Sequence, residues 1–363
     1  MTIAPPQLTD PGPHITRAAR RWRVRPPRSL IALATLAVTV LFSYVALSGV
    51  NFGEAWRALR SSDYLWLAPA LLALGLSMGA RVLRWRSLFA PGRSPPLGAV
   101  TNAMMIGYLY NNILPARSGE VARVVVLNRR SSAQPVEIAG TVVLERLYDV
   151  AGILVIFFLA APWLPPVSWL EAAAIAAGVL AVAIVTTVLV LALGGERPLR
   201  LLLRPLRRLP RFTEERMERT VAELMSGLSG LRHPGVALLG CLWTIVAWML
   251  TAVVAYTVIL AFNLHLPFAC GVLVTVAVGL AMILPSPPAA LGVYEGAALI
   301  GMKAYGLSHT AALPYALVLH LVNFLPFIVA GIALLHHNSR HPAIHRAPTQ
   351  APVALLRGSA ASL

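Results

Sequence analysis

Long apolar stretches recur along this chain, and they leave it few environments in which to fold. Leu30–Val50, Tyr64–Val82, Ile138–Pro162, Trp169–Leu193, Val236–Phe262 and Ala311–Leu335 approach or exceed the roughly 20 residues that cross a hydrocarbon core. With 58% hydrophobic and only 12% charged residues, the expected fold is an all-α polytopic membrane protein. A helix satisfies its own backbone in lipid, where an open strand does not. The run at Leu30–Val50 is longer than a signal-peptide core and has no small-residue cleavage site soon after it, so it is expected to be a first span that is not removed. Cys241 and Cys270 both lie in apolar segments. Two such residues make neither a disulfide framework nor a thiolate metal site, and no metal or other cofactor is predicted.

The formal net charge is +16, and arginine supplies nearly all of it. Nucleic-acid binding is the usual reading of so basic a chain. Here the arginines collect between the apolar runs, as the positive-inside rule requires of cytoplasmic loops, so no nucleic-acid partner is expected. The expected division is a disordered basic head (1–28), a membrane domain (29–336) and a disordered basic tail (337–363), with both termini cytoplasmic. Within the domain, 195–233 is a cytoplasmic amphipathic segment, because Met217, Val221, Leu224, Leu228 and Leu231 recur at helical spacing. Thr213 before Glu214 and Glu215 suits the helix start. Its apolar face is expected to lie on the membrane surface, with a partner-binding helix as the alternative.

Two further apolar stretches are interrupted. Leu97–Leu127 is broken by Asn111, Asn112, Pro115, Arg117, Gly119 and Glu120, and Pro267–Tyr305 by Pro285, Pro288, Gly292 and Gly296. Prolines and glycines break helices, and a break at membrane depth survives only beside protein or a wet cavity. Arginines flank both ends of the first stretch, which places both ends on the cytoplasmic side; counting spans places both ends of the second outside. The chain therefore reads as six full spans plus two re-entrant hairpins of opposite orientation, against an alternative of eight spans. Ile-Leu-Pro occurs in both breaks (113–115 and 283–285), followed each time by a glycine and a glutamate. Paired interrupted segments of this kind point to a transporter's substrate site.

Charges inside apolar runs cost about 2.5–3.5 kcal/mol each at a helix centre, so those present need a reason. Arg117, Glu120 and Arg123 stand three apart and form a strip on a helix restarting after Pro115, with Asn111 and Asn112 just before the break. Guanidinium forks in such a strip match a phosphate bidentately; the alternative places the same charges at the headgroup level. Glu145, Arg146 and Asp149 open the next span. Arg146 and Asp149 can pair, while Glu145 needs another partner, and an arginine of the first hairpin is the obvious one. Glu295 has no charged residue near it in sequence and must be neutral, partnered across helices or facing water; Tyr294 beside it can cap it or stack on a headgroup. His320 and Asn323, on one face of the last span, read as interhelical hydrogen-bonders.

The blocks Asn112-x-x-Pro115-x-Arg117-x-Gly119-Glu120-x-x-Arg123, Glu145-Arg146-x-x-Asp149 and Pro288-x-x-x-Gly292-x-x-Glu295-Gly296 resemble the transmembrane region of bacterial lysylphosphatidylglycerol synthases. That region also occurs alone, as flippase-like proteins, and the likeness covers roughly residues 30–335. The resemblance implies a bacterial inner-membrane protein that moves lipid between leaflets. The soluble domain that performs aminoacyl transfer in the full-length synthases is not expected here. In one departure, this chain has Ser286-Pro287-Pro288-Ala289-Ala290 where relatives often have glycines, a stiffer turn. The expected partner is thus a lipid with an anionic or zwitterionic headgroup, held by the residues just named. Two other readings stay open: an accessory subunit of a glycosyltransferase or lipid-synthesis system, acting through 195–233, and an intramembrane enzyme acting on a lipid headgroup.

Overall fold

The computed structural model describes residues 52–90, 92–114, 118–204, 214–228, 233–283 and 288–340. The Leu30–Val50 run, both termini, Pro115, Arg117 and Pro285 lie outside these residues. All regular structure among the described residues is helical. The helices are α1 (Phe52–Arg60), α2 (Leu67–Ser87), α3 (Leu97–Ile113), α4 (Ser118–Arg130), α5 (Pro135–Ala160) and α6 (Ser168–Leu193). They continue with α7 (Arg197–Leu203), α8 (Glu214–Gly227), α9 (Pro234–Ala261), α10 (Phe268–Ala281), α11 (Val293–Lys303) and α12 (His309–Arg340).

Four of these, α2 with the turn before it, α6, α9 and α12, are long and apolar enough to cross a membrane. Helix α5 matches them in length, with 26 residues, and differs in holding Glu145, Arg146 and Asp149. The two interrupted stretches fold back on themselves. In the first, Asn111 meets Gly119 and Gly107 meets Arg123, so α3 and α4 run antiparallel. In the second, Gly301 faces Val274 and Cys270 faces Met302, which makes α10 and α11 antiparallel as well.

The hairpins enter from opposite ends of α12. Near the far end of α12, Asn338 exchanges hydrogen bonds with Asn102, close to the start of α3. Helix α11, by contrast, leads through a short turn into the beginning of α12. The 3-10 turn Pro288–Ala290 of the second hairpin touches α3 of the first. The two hairpins are thus opposed along α12.

Small residues set the closest approaches. A methyl on Gly119 would overlap the Gly107 carbonyl oxygen, so the α3–α4 crossing admits only hydrogen at that point. Helices α2 and α9 form the most extensive pair: Ala70 and Ala73 are buried there, and Ser77 donates to the Ala247 carbonyl at 2.9 Å. Lipid tails offer no hydrophobic gain on helix association, so close packing and interhelical hydrogen bonds do the joining.

One expectation needs correcting. The apolar face of α8 docks onto the start of α5 instead of lying on the membrane surface. Met217 and Val221 are buried, Gly227 approaches Gly140, and Ser226 donates to Glu137 Oε1 at 3.3 Å. The helical period seen in the sequence is real, but it fits an intramolecular groove. Periodicity identifies an apolar face without saying what covers it.

Candidate functional site

Helix α5 brings its charged turn to the middle of the bundle, where it must be compensated. Arg84 of α2 donates to Asp149 at 2.7 Å and to Glu145 at 3.1 Å, and Arg123 of α4 pairs with the other oxygen of Glu145. Arg146 pairs with Asp149 at 3.2 Å and with Glu120 of α4 at 3.1 Å, while Arg81 stands 3.6 Å from Asp149. Four guanidinium groups therefore meet three carboxylates, and one positive charge is left over among the described residues. Burying an unpaired charge is prohibitive and burying a paired, hydrogen-bonded one is tolerable, so this network ties α2, α4 and α5 to a single geometry. Neutral groups complete it. Thr244 accepts from Arg84 at 3.2 Å, the Arg123 guanidinium lies 4.1 Å from the Trp85 ring centre, and that of Arg81 lies 4.7 Å from Trp248.

The network forms one wall of a cavity of about 470 Å3. Asn111, Asn112, Glu120, Arg146, Asp149 and Arg81 make its polar end, and Leu74, Met78, Ile153, Val278, Phe324 and Phe327 make its apolar side. Both hairpins reach it, through Leu114 beside the first tip and through Ile283, Ala290 and Tyr294 around the second. The cavity is amphipathic and lies between the spans. Its chemistry suits a molecule with an anionic end and a hydrocarbon remainder.

The residues named from the sequence divide into those that face the cavity and those behind it. Asn111, Asn112, Glu120, Arg146, Asp149 and Tyr294 line it. The Asn111 side-chain oxygen is already engaged, accepting from the Gly119 N–H at 2.8 Å, so this residue closes the first hairpin as well as facing the space. Arg123 and Glu145 are buried one layer back. They pair with each other, as expected for Glu145 and an arginine of the first hairpin. Glu120 turns to Arg146 rather than completing a strip with Arg123, because α4 buries Arg123 while leaving Glu120 at the cavity edge.

Glu295 also lies behind the wall. Its side chain is 6% exposed; Oε1 is 2.5 Å from His320 Nδ1, and Oε2 accepts the Gly292 N–H at 2.7 Å. Of the options open to a lone carboxylate, partnership across helices is the one realised. Tyr294 stacks on the His320 ring, with centroids 4.6 Å apart, and stands between this pair and the cavity. Asn323 donates to the Leu319 carbonyl of its own helix and faces the cavity. Gly292 adopts a φ of 79°, while Ala289 and Ala290 sit at 56° and 52°. That is the left-handed region where a glycine would be at ease and an alanine is strained. The presence of alanine rather than glycine at this turn thus has a local cost.

Arg81 and Arg84 stand where the Tyr64–Val82 run returns to the basic side of the membrane, yet the structure turns both inward. The signal for it is the inner face of α2, where Ala70, Ala73, Ser77, Ala80 and Arg84 recur at helical spacing and are all buried. A stripe of small and polar residues marks the packed side of a membrane helix, and a charge on that stripe faces protein.

Known proteins give this geometry a context. A UPF0104 membrane protein of Methanothermobacter thermautotrophicus is 23% identical over 82% of this chain and 94% of its own length. Another, from Methanocaldococcus jannaschii, is 22% identical over 62% of this chain and 92% of its own. The glycosyltransferase AglD of Haloferax volcanii is 27% identical over 88% of this chain, which spans only 57% of that longer protein. Residues 30–331, which include the network, both hairpins and the cavity they enclose, match the family described as the lysylphosphatidylglycerol synthase transmembrane region, and the chain belongs to that family.

Proposed function

We propose that this multi-pass membrane protein moves a phosphate-bearing lipid between the leaflets of the bilayer. The observation that supports it best is the cavity, with guanidinium groups at one end, apolar walls beside them and a broken hairpin closing on it from each side. Arg146 and Arg81 would hold the phosphate, with Asn112 adding amide donors, while the hydrocarbon runs along Leu74, Met78, Phe324 and Phe327. Arg146 is the most exposed of the four arginines, at 38% of its side chain, and so is the one best placed to exchange a protein carboxylate for a ligand. Arg84, Arg123 and Glu145 would fix the others in place. Arg117 is proposed as a further phosphate ligand on its place in the sequence alone. The protein would sit in the plasma membrane with both termini cytoplasmic, an orientation that reporter fusions at each end would check.

Purified protein reconstituted into vesicles with headgroup-labelled phosphatidylglycerol tests the reading. Faster exposure of the label to an external quencher than in protein-free vesicles is expected, and rates equal to the protein-free control would refute transport of this lipid class.

The likeness to a glycosyltransferase favours a second reading, in which the protein serves as the membrane subunit of a sugar-transfer system. On that reading the vesicles would show no movement of lipid, and purification from native membranes would retain a glycosyltransferase bound to the α8 region.

A further inference from the structure

Glu295 and His320 belong to a group that lipid binding does not use. The two oxygens of one buried carboxylate do different jobs: Oε1 meets the His320 ring of α12 at 2.5 Å, and Oε2 holds the Gly292 N–H at the tip of the second hairpin at 2.7 Å. The ring is fixed between Tyr294, nearly parallel at 4.6 Å, and Phe324, edge-on at 4.2 Å. The nearest ionisable neighbours are not free to compensate the pair. Tyr294 is committed to the stack, and the Tyr315 hydroxyl donates to the Ala255 carbonyl at 3.1 Å. On α10, the facing helix, Cys270 lies against Met302. On α11 itself the next charge is Lys303, eight positions on, at the base of the hairpin. No arginine reaches the pair among the described residues, in contrast to the network around Glu145.

An isolated imidazole and carboxylate in this position have one comfortable state. With one proton between Nδ1 and Oε1 the pair is neutral overall, whether drawn as two neutral groups or as an ion pair. Without that proton it is a bare anion in a low-dielectric interior, and with a second it is a cation; both are costly there. The proton can therefore be lost or doubled only when water or an ion reaches the pair. The barrier to water is formed by Tyr294 and Phe324, both cavity-wall residues against the His320 ring, and by the adjoining turn, where the carboxylate holds the N–H of left-handed Gly292.

We propose that Glu295 and His320 form a proton-binding site whose loading is linked to the position of the second hairpin tip, so that protonation gates the opening of the cavity. In the closed form seen here the site holds one proton, shielded by Tyr294. When the tip leaves α3, water reaches the pair, the proton passes from the imidazole to water on that side, and the bare carboxylate disfavours closure until a proton returns. One proton is bound and one released per cycle, and no other group need change charge. The purpose of the site rests on the transport reading, whereas its linkage to the tip does not.

Two measurements separate them. In the first, Ala289→Cys is introduced with Cys241→Ser, because Cys241 is exposed while Cys270 is buried. The rate of modification at residue 289 by an impermeant maleimide, corrected for the reagent's own pH dependence, reports opening of the tip. It is expected to change several-fold over a pH series and to be flat when Glu295→Gln or His320→Gln is added. Glutamine at 295 keeps an acceptor for the Gly292 N–H but has no ionisable proton, so the closed fold survives, and monodispersity in detergent checks that. A pH dependence unchanged by both substitutions, or absent from the parent, overturns the proton site.

In the second, vesicles with labelled phosphatidylglycerol are held at a series of pH values, equal inside and out. The parent protein should move the label at a rate that follows the opening of the tip, and Glu295→Gln should move it at a rate indifferent to pH. Movement by the parent that ignores pH overturns the gating. A linked tip with no movement of lipid by any variant leaves the proton site standing and removes the transport reading instead.

Discussion

The two hairpins share a topology and hold their tips by opposite means. The first is locked by charge and by contact: Arg123 and Glu120 of α4 each pair with α5, and Gly107 and Gly119 let the two arms touch. The second has its arms buried in an apolar cluster, and its only ionic tie near the tip among the described residues is one carboxylate with one histidine, beside a turn with two alanines in left-handed conformation. A multiply bonded ionic network has one arrangement, because any displacement strands a charge. A single hydrogen-bonded pair beside a strained turn has little to lose by moving. On the proposed reading the two halves would do different work, the first as a fixed platform for the anionic end of a ligand and the second as a tip able to open.

The sharpest way to break this comparison is to neutralise a carboxylate in each half. Glu145→Gln leaves Arg84 and Arg123 buried with one charge too few, and should cost about 3–5 kcal/mol of stability. Glu295→Gln strands no charge and should cost well under that. Equilibrium unfolding in detergent checks both, and equal losses would end the distinction between platform and tip. Next in size is Gly119→Ala, where a methyl meets the Gly107 carbonyl; overpacking of that kind costs about 1–3 kcal/mol. Gly301→Ala in the second hairpin meets Val274 less closely and should cost less. The same unfolding curves decide the order.

Arg146→Lys tests the platform's chemistry with little effect on its fold. Lysine keeps the charge but cannot make the guanidinium fork, and losing one charge-assisted hydrogen bond of about 1.5–3 kcal/mol should lower lipid movement at least roughly tenfold. Wild-type rates with normal folding would take Arg146 out of the site. The smallest effect is expected at the strained turn. Ala289→Gly relieves a left-handed alanine and should gain about 0.5–1 kcal/mol, part of it offset by the greater freedom of glycine in the unfolded chain. A slightly raised melting temperature would support that, and a lowered one would show that the turn is not strained.

Much of this architecture is legible in the amino-acid sequence. The apolar runs and their arginine flanks give spans and hairpins, because hydropathy and helix breaking act over a few residues at a time. The pairing of Arg146 with Asp149 follows from helical spacing alone. The reach of Glu145 to an arginine of the first hairpin follows from the need to compensate a buried charge. Arg84 is harder to read. Its position at the end of an apolar run is the same whether the helix ends in water or continues into protein, and only the small-residue stripe on α2 tells the two apart. The docking of α8 on α5 is equally hidden, since an apolar stripe looks the same whether lipid or a neighbouring helix covers it.

By itself the sequence determined an all-helical membrane protein, the two breaks in it and the set of charges that had to be reconciled inside it. Those follow from the length of apolar runs, the backbone limits of proline and glycine, and the cost of charge in hydrocarbon. Only the tertiary structure decided which charges meet. Arg84 finds Glu145 across 61 positions and Glu295 finds His320 across 25. Such pairings depend on which helix faces which, and at what height, and that is fixed by the close packing of small residues over whole helices. No local pattern contains that information, so the convergence of both hairpins on one amphipathic cavity belongs to the folded molecule.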